Sequence, residues 1–275
     1  MIGSKACVGF PTPSRKNEFY SQTMVDWNWP EYAIPTYIKS HIHQEKLDKS
    51  KGEYCLVPTF RLPTLIHSRS ANSKWLYELS NNNPVWMSPQ VAAQVGVETG
   101  DLVRITTETG YFVNKAWVTE GIRPGIVACS HHLGRWRRED GRGTDRWGAP
   151  PVQVESRGPG VWRIRRTGDI EPFESGDPDS KRVWWREGGV HQNLTHGVHP
   201  DPISGMHCWH QKVTVTKAAP DDRYGDVEVD TKKSFEVYKE WLARAASFDR
   251  PDRLRRPLHF ARAVRPADSA YVMDD

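Results

Sequence analysis

Cysteine is scarce and scattered. Cys7, Cys55, Cys129 and Cys208 stand far apart with no Cys-x-x-Cys pair, so the chain encodes neither a zinc ribbon nor an iron-sulfur site of its own. Buried thiols are the expectation for all four. Long apolar runs are missing too: no stretch approaches eighteen apolar residues, and the opening MIGSKACVGFPTP has no basic segment followed by an apolar one. The chain therefore reads as soluble or peripheral, cytoplasmic by its own signals and periplasmic only if exported together with a partner. Apolar residues make up 37% and the mean hydropathy is -0.69, low for one dense core, so extended or partner-covered segments are expected. A large excess of either charge is also absent. The 38 Lys and Arg against 34 Asp and Glu leave +4, which suits an anionic ligand or an acidic partner subunit and falls short of a dedicated nucleic-acid binder. Tryptophan, by contrast, is plentiful: twelve in 275 residues, an amphipathic ring suited to contacts with other protein.

The densest signal lies between Leu56 and His132. The run VWMSPQVAAQVGVETGDLVRITTETGYFVNKAWVTEGIRPGIV (85 to 127) begins with an apolar strand that meets Ser88-Pro89. Ser88 suits an N-cap, and Pro89 suits the first helical position because the donor it lacks would be unpaired there. Gly96 stops that helix. From Asp101 the apolar residues recur with period two (Leu102, Val103, Ile105, then Phe112, Val113, Ala116, Val118 after a turn at Thr109-Gly110), which predicts a hairpin with one buried face. Pro124-Gly125 supplies a second turn before an apolar strand from Ile126 to Cys129. Together these pieces predict a small mixed barrel.

In chain order, residues 1 to 50 mix Pro11, Pro13, Pro30 and Pro35 with seven aromatics and predict an extended arm. EYCLVPTF (53 to 60) predicts a strand, followed by the polar loop LPTLIHSRSANSKW. SHHLGRWRRED follows Cys129. Its adjacent His131 and His132 invite a metal reading, but successive strand side chains point to opposite faces, which argues against one shared ion. Residues 136 to 187 interleave Arg and Trp in the manner of a nucleic-acid surface. Glu139, Asp140, Asp145, Glu155 and Asp169 dilute that field, and the segment is read as an insertion between barrel strands. His191, His196, His199, His207 and His210 tempt a metal site whose Gly- and Pro-broken backbone would have to converge. KKSFEVYKEWLARAA (232 to 246) carries an apolar stripe of Phe235, Val237, Tyr238, Trp241, Leu242 and Ala245, predicting a docking helix. The Arg- and Pro-rich tail from 249 to 275 has no periodicity.

The succession NPVWMSP, VAAQVGVETGDLVRI, TGYFVNKAWVTEGIRPGIV and HHLGRW resembles the C-terminal molybdopterin-dinucleotide-binding domain of the dimethyl sulfoxide reductase family of molybdenum or tungsten oxidoreductases. The resemblance covers about 8 to 217 and is best from 54 to 136. It implies a mainly β fold, a six-stranded double-psi β-barrel (51 to 217, with the insertion at 136 to 187), between an extended arm (1 to 50) and a C-terminal helix and tail (218 to 275). It implies that Asp101 is structural. It also implies a bis-molybdopterin guanine dinucleotide cofactor touched by His67, Ser68, Arg69, Ser70 and Asn72, by Ser130, His131, His132 and Arg135, and by Gln192, Asn193, Thr195, Gln211 and Lys212. Hydroxyls, amides and a guanidinium fork are the groups that a pterin with phosphates needs. The bland alternative for 67 to 72 is a solvated loop, and for 130 to 135 a polar strand end. His210-Gln211 stands near where the family commonly has Lys or Arg, which leaves open which side chain makes that contact.

GFPTPSRKNEFYS resembles the linker entering this domain, so a separately encoded subunit or a truncated copy of a larger enzyme is expected, inactive alone. No catalytic residue and no metal ligand of its own is expected. The implied partners are a larger chain carrying the metal ligand and a [4Fe-4S] cluster and an iron-sulfur electron-transfer subunit, with neither nucleic acid nor a membrane span. HHLGRW and PDPISGMHCWHQKV lean toward the branch acting on sulfur or arsenic oxyanions. The alternative is a non-catalytic barrel, either an interaction module or a cofactor-insertion chaperone.

Overall fold

The computed structural model describes residues 10, 12, 16–59, 74–80, 82–140, 149–171, 176 and 188–246. The chain divides into two compact units, one of residues 40–201 and 206–240 and one of residues 1–39, 202–205 and 241–275.

The larger unit is built on one mixed sheet. Its strands are β1 (Glu53–Val57), β2 (Val85–Met87), β3 (Leu102–Thr106), β4 (Gly110–Val118), β5 (Ile126–Ala128), β6 (Arg137–Arg138), β7 (Pro151–Gly158), β8 (Val161–Arg166), β9 (Gln211–Lys217) and β10 (Val227–Asp230). The strand order is β2-β5-β1-β9-β3-β4, and a further parallel pairing of β2 with β4 closes those six into a barrel. This is the mainly β, double-psi-type barrel that the sequence led us to expect. Closure removes sheet edges, whose unpaired N–H and C=O groups would otherwise recruit other strands.

Strand β4 makes the closure possible because it is long enough to serve two neighbours on one side. Ala116–Val118 pairs with β2, while Gly110–Phe112 pairs with β10. From β10 the sheet continues outward through β8, β7 and β6. The insertion is thus a sheet extension, and residues 227 to 230, expected only to lead into a helix, contribute a strand. Gly110 is required by the close approach of β10: a Cβ there would stand 2.0 Å from the Glu228 carbonyl oxygen.

The barrel core consists of the inward residues of each strand, among them Leu56, Val85, Met87, Val103, Ile105, Phe112, Val127 and Val213, all at most 1% exposed. The short helix α3 (Pro89–Val95) covers one end. Ser88 caps it by accepting from the Val91 N–H at 3.3 Å, and Gly96 ends it in the left-handed region at φ 74. Asp101 is structural, its Oδ2 accepting from the Glu98 N–H at 3.0 Å. Another helix, α2 (Lys74–Leu79), lies where only a loop was expected. Arginines of the extension pair with two of the interleaved acids, Arg163 with Glu155 (2.6 Å) and Arg138 with Asp140 (2.6 Å), and Arg165 pairs with Asp226 just before β10 (2.5 Å).

In the smaller unit, helix α1 (Gln22–Asp26) is capped by Ser21, and the Ser21 N–H donates to the Ala33 carbonyl at 2.7 Å. The helix that follows β10, α4 (Thr231–Ala243), buries a narrower face than the expected stripe, since Phe235 and Leu242 are exposed. Among the cysteines, Cys55 and Cys129 are buried but Cys208 is only partly so. Cys7 and the tail from 249 onward lie outside the described residues. Tryptophan burial is uneven: Trp29 is fully buried, whereas Trp75, Trp117, Trp162 and Trp209 are exposed. No helix among the described residues is long and apolar enough to cross a membrane.

Candidate functional site

The loop after β5 and the segment before β9 meet at one end of the barrel, and the backbone explains why. Gly134 has φ 102, and a Cβ on it would fall 2.2 Å from the backbone of Val190 and His191, so only glycine lets the two segments touch. The Gly134 N–H donates to the Gly188 carbonyl at 2.9 Å. Asn83, fully buried at the start of β2, ties both segments together. Its Nδ2 donates to the carbonyls of Ser130 (2.7 Å) and Val190 (3.2 Å), and its Oδ1 accepts from the Val190 N–H (2.8 Å). Sequence reading passed over Asn83 as a site residue, although the Asn-Pro pair was part of the motif.

Within the first segment, Ser130 Oγ lies 2.7 Å from His132 Nδ1. His131 donates from Nδ1 to the Pro58 carbonyl at 2.7 Å, so the end of β1 is held to the same place. The expectation that His131 and His132 point to opposite faces is corrected. Both follow the end of β5 at Ala128, in a turn where strand alternation no longer applies, and their rings lie 4.0 Å apart. From His131 the rings continue to Trp209 (5.3 Å), His207 (4.8 Å), His199 (6.4 Å) and His41 (4.9 Å). His199 Nε2 contacts the Glu108 carboxylate, and that hydrogen bond lowers the Glu108 pKa from its usual value.

In the second segment a 3-10 turn, Gln192–Thr195, presents residues of contrasting fate. Gln192 is fully buried and its amide is spent on Cys129: Nε2 donates to the carbonyl at 2.9 Å and Oε1 accepts from the thiol at 2.5 Å. Thr195 uses its hydroxyl on the Gln192 carbonyl, and its own carbonyl accepts from Thr107 and Thr109. Asn193 donates from Nδ2 to the His131 carbonyl at 3.3 Å, while its enclosed Oδ1 has no partner among the described residues. His196, 6% exposed, has no partner among the described residues on either ring nitrogen. Burial, with smaller contributions from His207, His131, His191 and His199, pushes its pKa down to about 3, so it is a neutral imidazole at physiological pH.

The structure thus gathers Ser130, His131, His132, Gln192, Asn193 and Thr195, with Arg135 in a small adjoining cleft beside Trp136 and His191. Gln211, buried at the start of β9, braces the same region by accepting from the Gly197 N–H. Lys212 is turned away by strand alternation and pairs with Glu53 at 3.2 Å. His67, Ser68, Arg69, Ser70 and Asn72 lie outside the described residues. His196 was considered only as a metal ligand. Its usable signal was its place one residue beyond the QNLT turn.

Buried polar atoms without partners are costly and point to a ligand that supplies them. Asn193 Oδ1 accepts, and a neutral imidazole offers one donor and one acceptor, which matches the alternating donor and acceptor edge of a pterin. Among the described residues no group of three His, Cys, Asp or Glu is placed to hold a metal ion. The residues present therefore fit the organic part of a metal-pterin cofactor.

Comparison with known proteins agrees with this reading. Residues 56–159 match the model of the molydopterin dinucleotide binding domain. Dopamine dehydroxylase of Eggerthella lenta is 28% identical over 176 residues, covering 62% of this chain and 16% of that protein. Dimethyl sulfoxide reductase DmsA of Escherichia coli is 31% identical over 156 residues (53% of this chain, 18% of that one). The thiosulfate reductase molybdopterin-containing subunit PhsA of Salmonella typhimurium is 33% identical over 120 residues (43% and 14%). The chain spans less than a fifth of the length of these relatives.

Proposed function

We propose that this chain, which carries the molybdopterin dinucleotide-binding domain of the dimethyl sulfoxide reductase family, caps a bis-molybdopterin guanine dinucleotide cofactor as the C-terminal part or a split subunit of a larger oxidoreductase. The observation that carries the reading is a set of enclosed side-chain atoms without a partner among the described residues, Asn193 Oδ1 and the two ring nitrogens of His196, at the junction of the two glycine-bound loops. They are the groups that bind. Gln192, Thr195 and Gln211 orient them from behind, because their own polar groups are already satisfied within the protein. Ser130, His131 and His132 stand at the same junction and exclude water beside the ligand, and the mild positive charge favours an anionic one. His67, Ser68, Arg69, Ser70 and Asn72, which lie outside the described residues, complete the set in this reading by their place in the sequence after β1.

When bound, the molybdenum or tungsten dithiolene centre supplies two-electron chemistry, with the protein contributing binding, orientation and electrostatics. A larger chain holding the metal ligand and an iron-sulfur cluster is the partner that this reading requires, and a sulfur or arsenic oxyanion is the substrate class. The relatives include both a thiosulfate reductase subunit and arsenate respiratory reductase subunits, one on each side of that class.

The test is a pull-down of the tagged full chain from native extract, followed by metal analysis and fluorescence of the oxidised pterin. The wild-type chain should bring down pterin and metal with a larger protein. Asn193→Ala with His196→Ala should lower the pterin recovered per chain at least tenfold while the barrel stays folded by circular dichroism. Equal pterin recovery in the double variant, or none with the wild type, sinks the proposal.

A further inference from the structure

Strands β1, β5 and β9 have the candidate site at one end only. Pro58 follows β1, Ser130 and His131 follow β5, and Gln211 begins β9. The opposite ends of β1 and β5 open onto a separate cavity of about 480 Å³, walled by α3, by the turn at Arg123–Ile126 and by residues 40 to 49. That volume is typical of a small-molecule site. Its apolar surface comes from Ile42, Leu47, Val91 and Ile126. Past Tyr54 and Gln94 it continues into an open cleft that reaches Lys217.

The charged groups around this cavity are unbalanced in one direction. Glu53, the carboxylate in its wall, is fully engaged: Oε1 meets Lys212 at 3.2 Å and Oε2 accepts from the Asp48 N–H at 2.8 Å. Gln94 spends its amide oxygen on the Tyr54 hydroxyl at 2.9 Å, which leaves its NH₂ as a donor. Lys49 and Arg123 are exposed at the opening, and among the described residues neither has an ion-pair partner. Lys217 in the adjoining cleft is likewise unpaired among them. Every unmatched group named here is a donor, and most carry positive charge, while the interior is aliphatic. A cation would find no uncommitted carboxylate in the lining, and a small hydrophilic anion would leave the aliphatic wall wet.

We propose that this cavity binds an amphipathic anion, a carboxylate on a medium-length hydrocarbon chain, with Lys49 and Arg123 on the carboxylate and Ile42, Leu47, Val91 and Ile126 on the chain. The site is distinct from the cofactor-capping site and does not depend on it. Both touch β1 and β5, so occupancy at one end bears on strands that carry the other.

Decanoate is the probe, titrated by isothermal calorimetry into the full 275-residue chain below the probe's micellar range. Saturable binding at one per chain is expected. It should weaken at least tenfold for decanol, which has the tail without the charge, and for butyrate, which has the charge without the tail. Lys49→Gln with Arg123→Gln changes only exposed side chains and should weaken decanoate to the same extent without moving the melting temperature. Absence of saturable decanoate binding, or equal binding by that double variant, overturns the proposal. Asn193→Ala with His196→Ala should leave decanoate binding unchanged, so loss of pterin recovery and loss of decanoate binding report separately on the two sites.

Discussion

Gln192 and Cys129 form a closed two-way pair inside the barrel. The glutamine Nε2 donates to the Cys129 carbonyl at 2.9 Å, and the Cys129 thiol donates to the glutamine Oε1 at 2.5 Å, with both residues fully buried. The pair joins the end of β5 to the QNLT turn and makes Gln192 a brace for its neighbours Asn193 and His196. Gln192→Ala should therefore destabilise the fold by about 1–3 kcal/mol, the cost of leaving the buried Cys129 carbonyl unsatisfied, while the thiol keeps the Asn83 carbonyl at 3.0 Å as its acceptor. Urea denaturation measures this. A midpoint within error of wild type would mean that the brace contributes nothing.

Cys129 gives a chemical readout of the same contact. Burial pushes its thiol pKa well up, so it stays protonated and inert to alkylation in the folded protein. Iodoacetamide should label Cys208, which is partly exposed, long before Cys129. Gln192→Ala should speed labelling of Cys129, and mass spectrometry of the digested protein would read the order directly.

Asn83 holds Ser130 and Val190 at once, so its removal should loosen both loops together. In Asn83→Ala, amide hydrogen exchange at residues 130 to 134 and 188 to 192 is expected to rise while that of Val103 and Ile105 in β3 changes little. Uniform acceleration across the barrel would show instead that Asn83 supports the whole core. Asn83→Asp should be worse than Ala at neutral pH, because a carboxylate would face the two carbonyl oxygens to which the amide now donates.

Glycine positions separate close approach from backbone strain. Gly125 has φ 86, and the space where a Cβ would stand has no atom within 4 Å, so Gly125→Ala should cost about 1 kcal/mol from conformation alone. Gly134→Ala adds a collision with the backbone of Val190 and His191 and should cost clearly more, with loss of pterin recovery. Comparable melting temperatures for the two variants would contradict the packed junction.

The sign of the pH dependence follows from His196. Its folded pKa of about 3 lies below the ordinary 6.5, so below pH 6.5 the unfolded chain takes up a proton that the folded one does not. Stability should fall as pH drops from 6.5 toward 3, and the lowered pKa values of His191, His207 and His210 act in the same direction. Glu108, held low by His199, begins to matter only below the usual carboxylate range, so the window from about pH 7 to 5 isolates the imidazoles. His196→Gln should flatten the slope in that window as measured by urea midpoints. An unchanged slope would place the titration elsewhere.

Much of the barrel was legible because its signals are local. Ser88, Pro89 and Gly96 mark a short helix through neighbouring backbone, and the period-two pattern from Leu102 to Val118 marks a hairpin. The contribution of β10 was hidden because its period-two alternation, Val227 to Asp230, is only four residues long and runs straight into the helical segment. The paired rings of His131 and His132 were misread because alternation was extended past the end of β5, where the chain turns. Lys212 was placed near the cofactor by its position in the sequence, yet it sits one residue out of phase with buried Gln211 on β9.

By itself the sequence determined the barrel strands and their inward faces, the capped helix, the structural role of Asp101 and the family to which the middle of the chain is related. Those features depend on residues a few positions apart, where sterics and hydrogen bonding act along the chain. Only the tertiary structure decided which buried polar groups are satisfied and which are left waiting. Asn83 reaches Val190 across 107 residues, Gln192 spends its amide on Cys129, and Asn193 Oδ1 and the His196 ring find no partner among the described residues. Whether a polar atom is paired depends on what the fold carries to within about 3 Å of it, and that distance is set by packing rather than by local sequence.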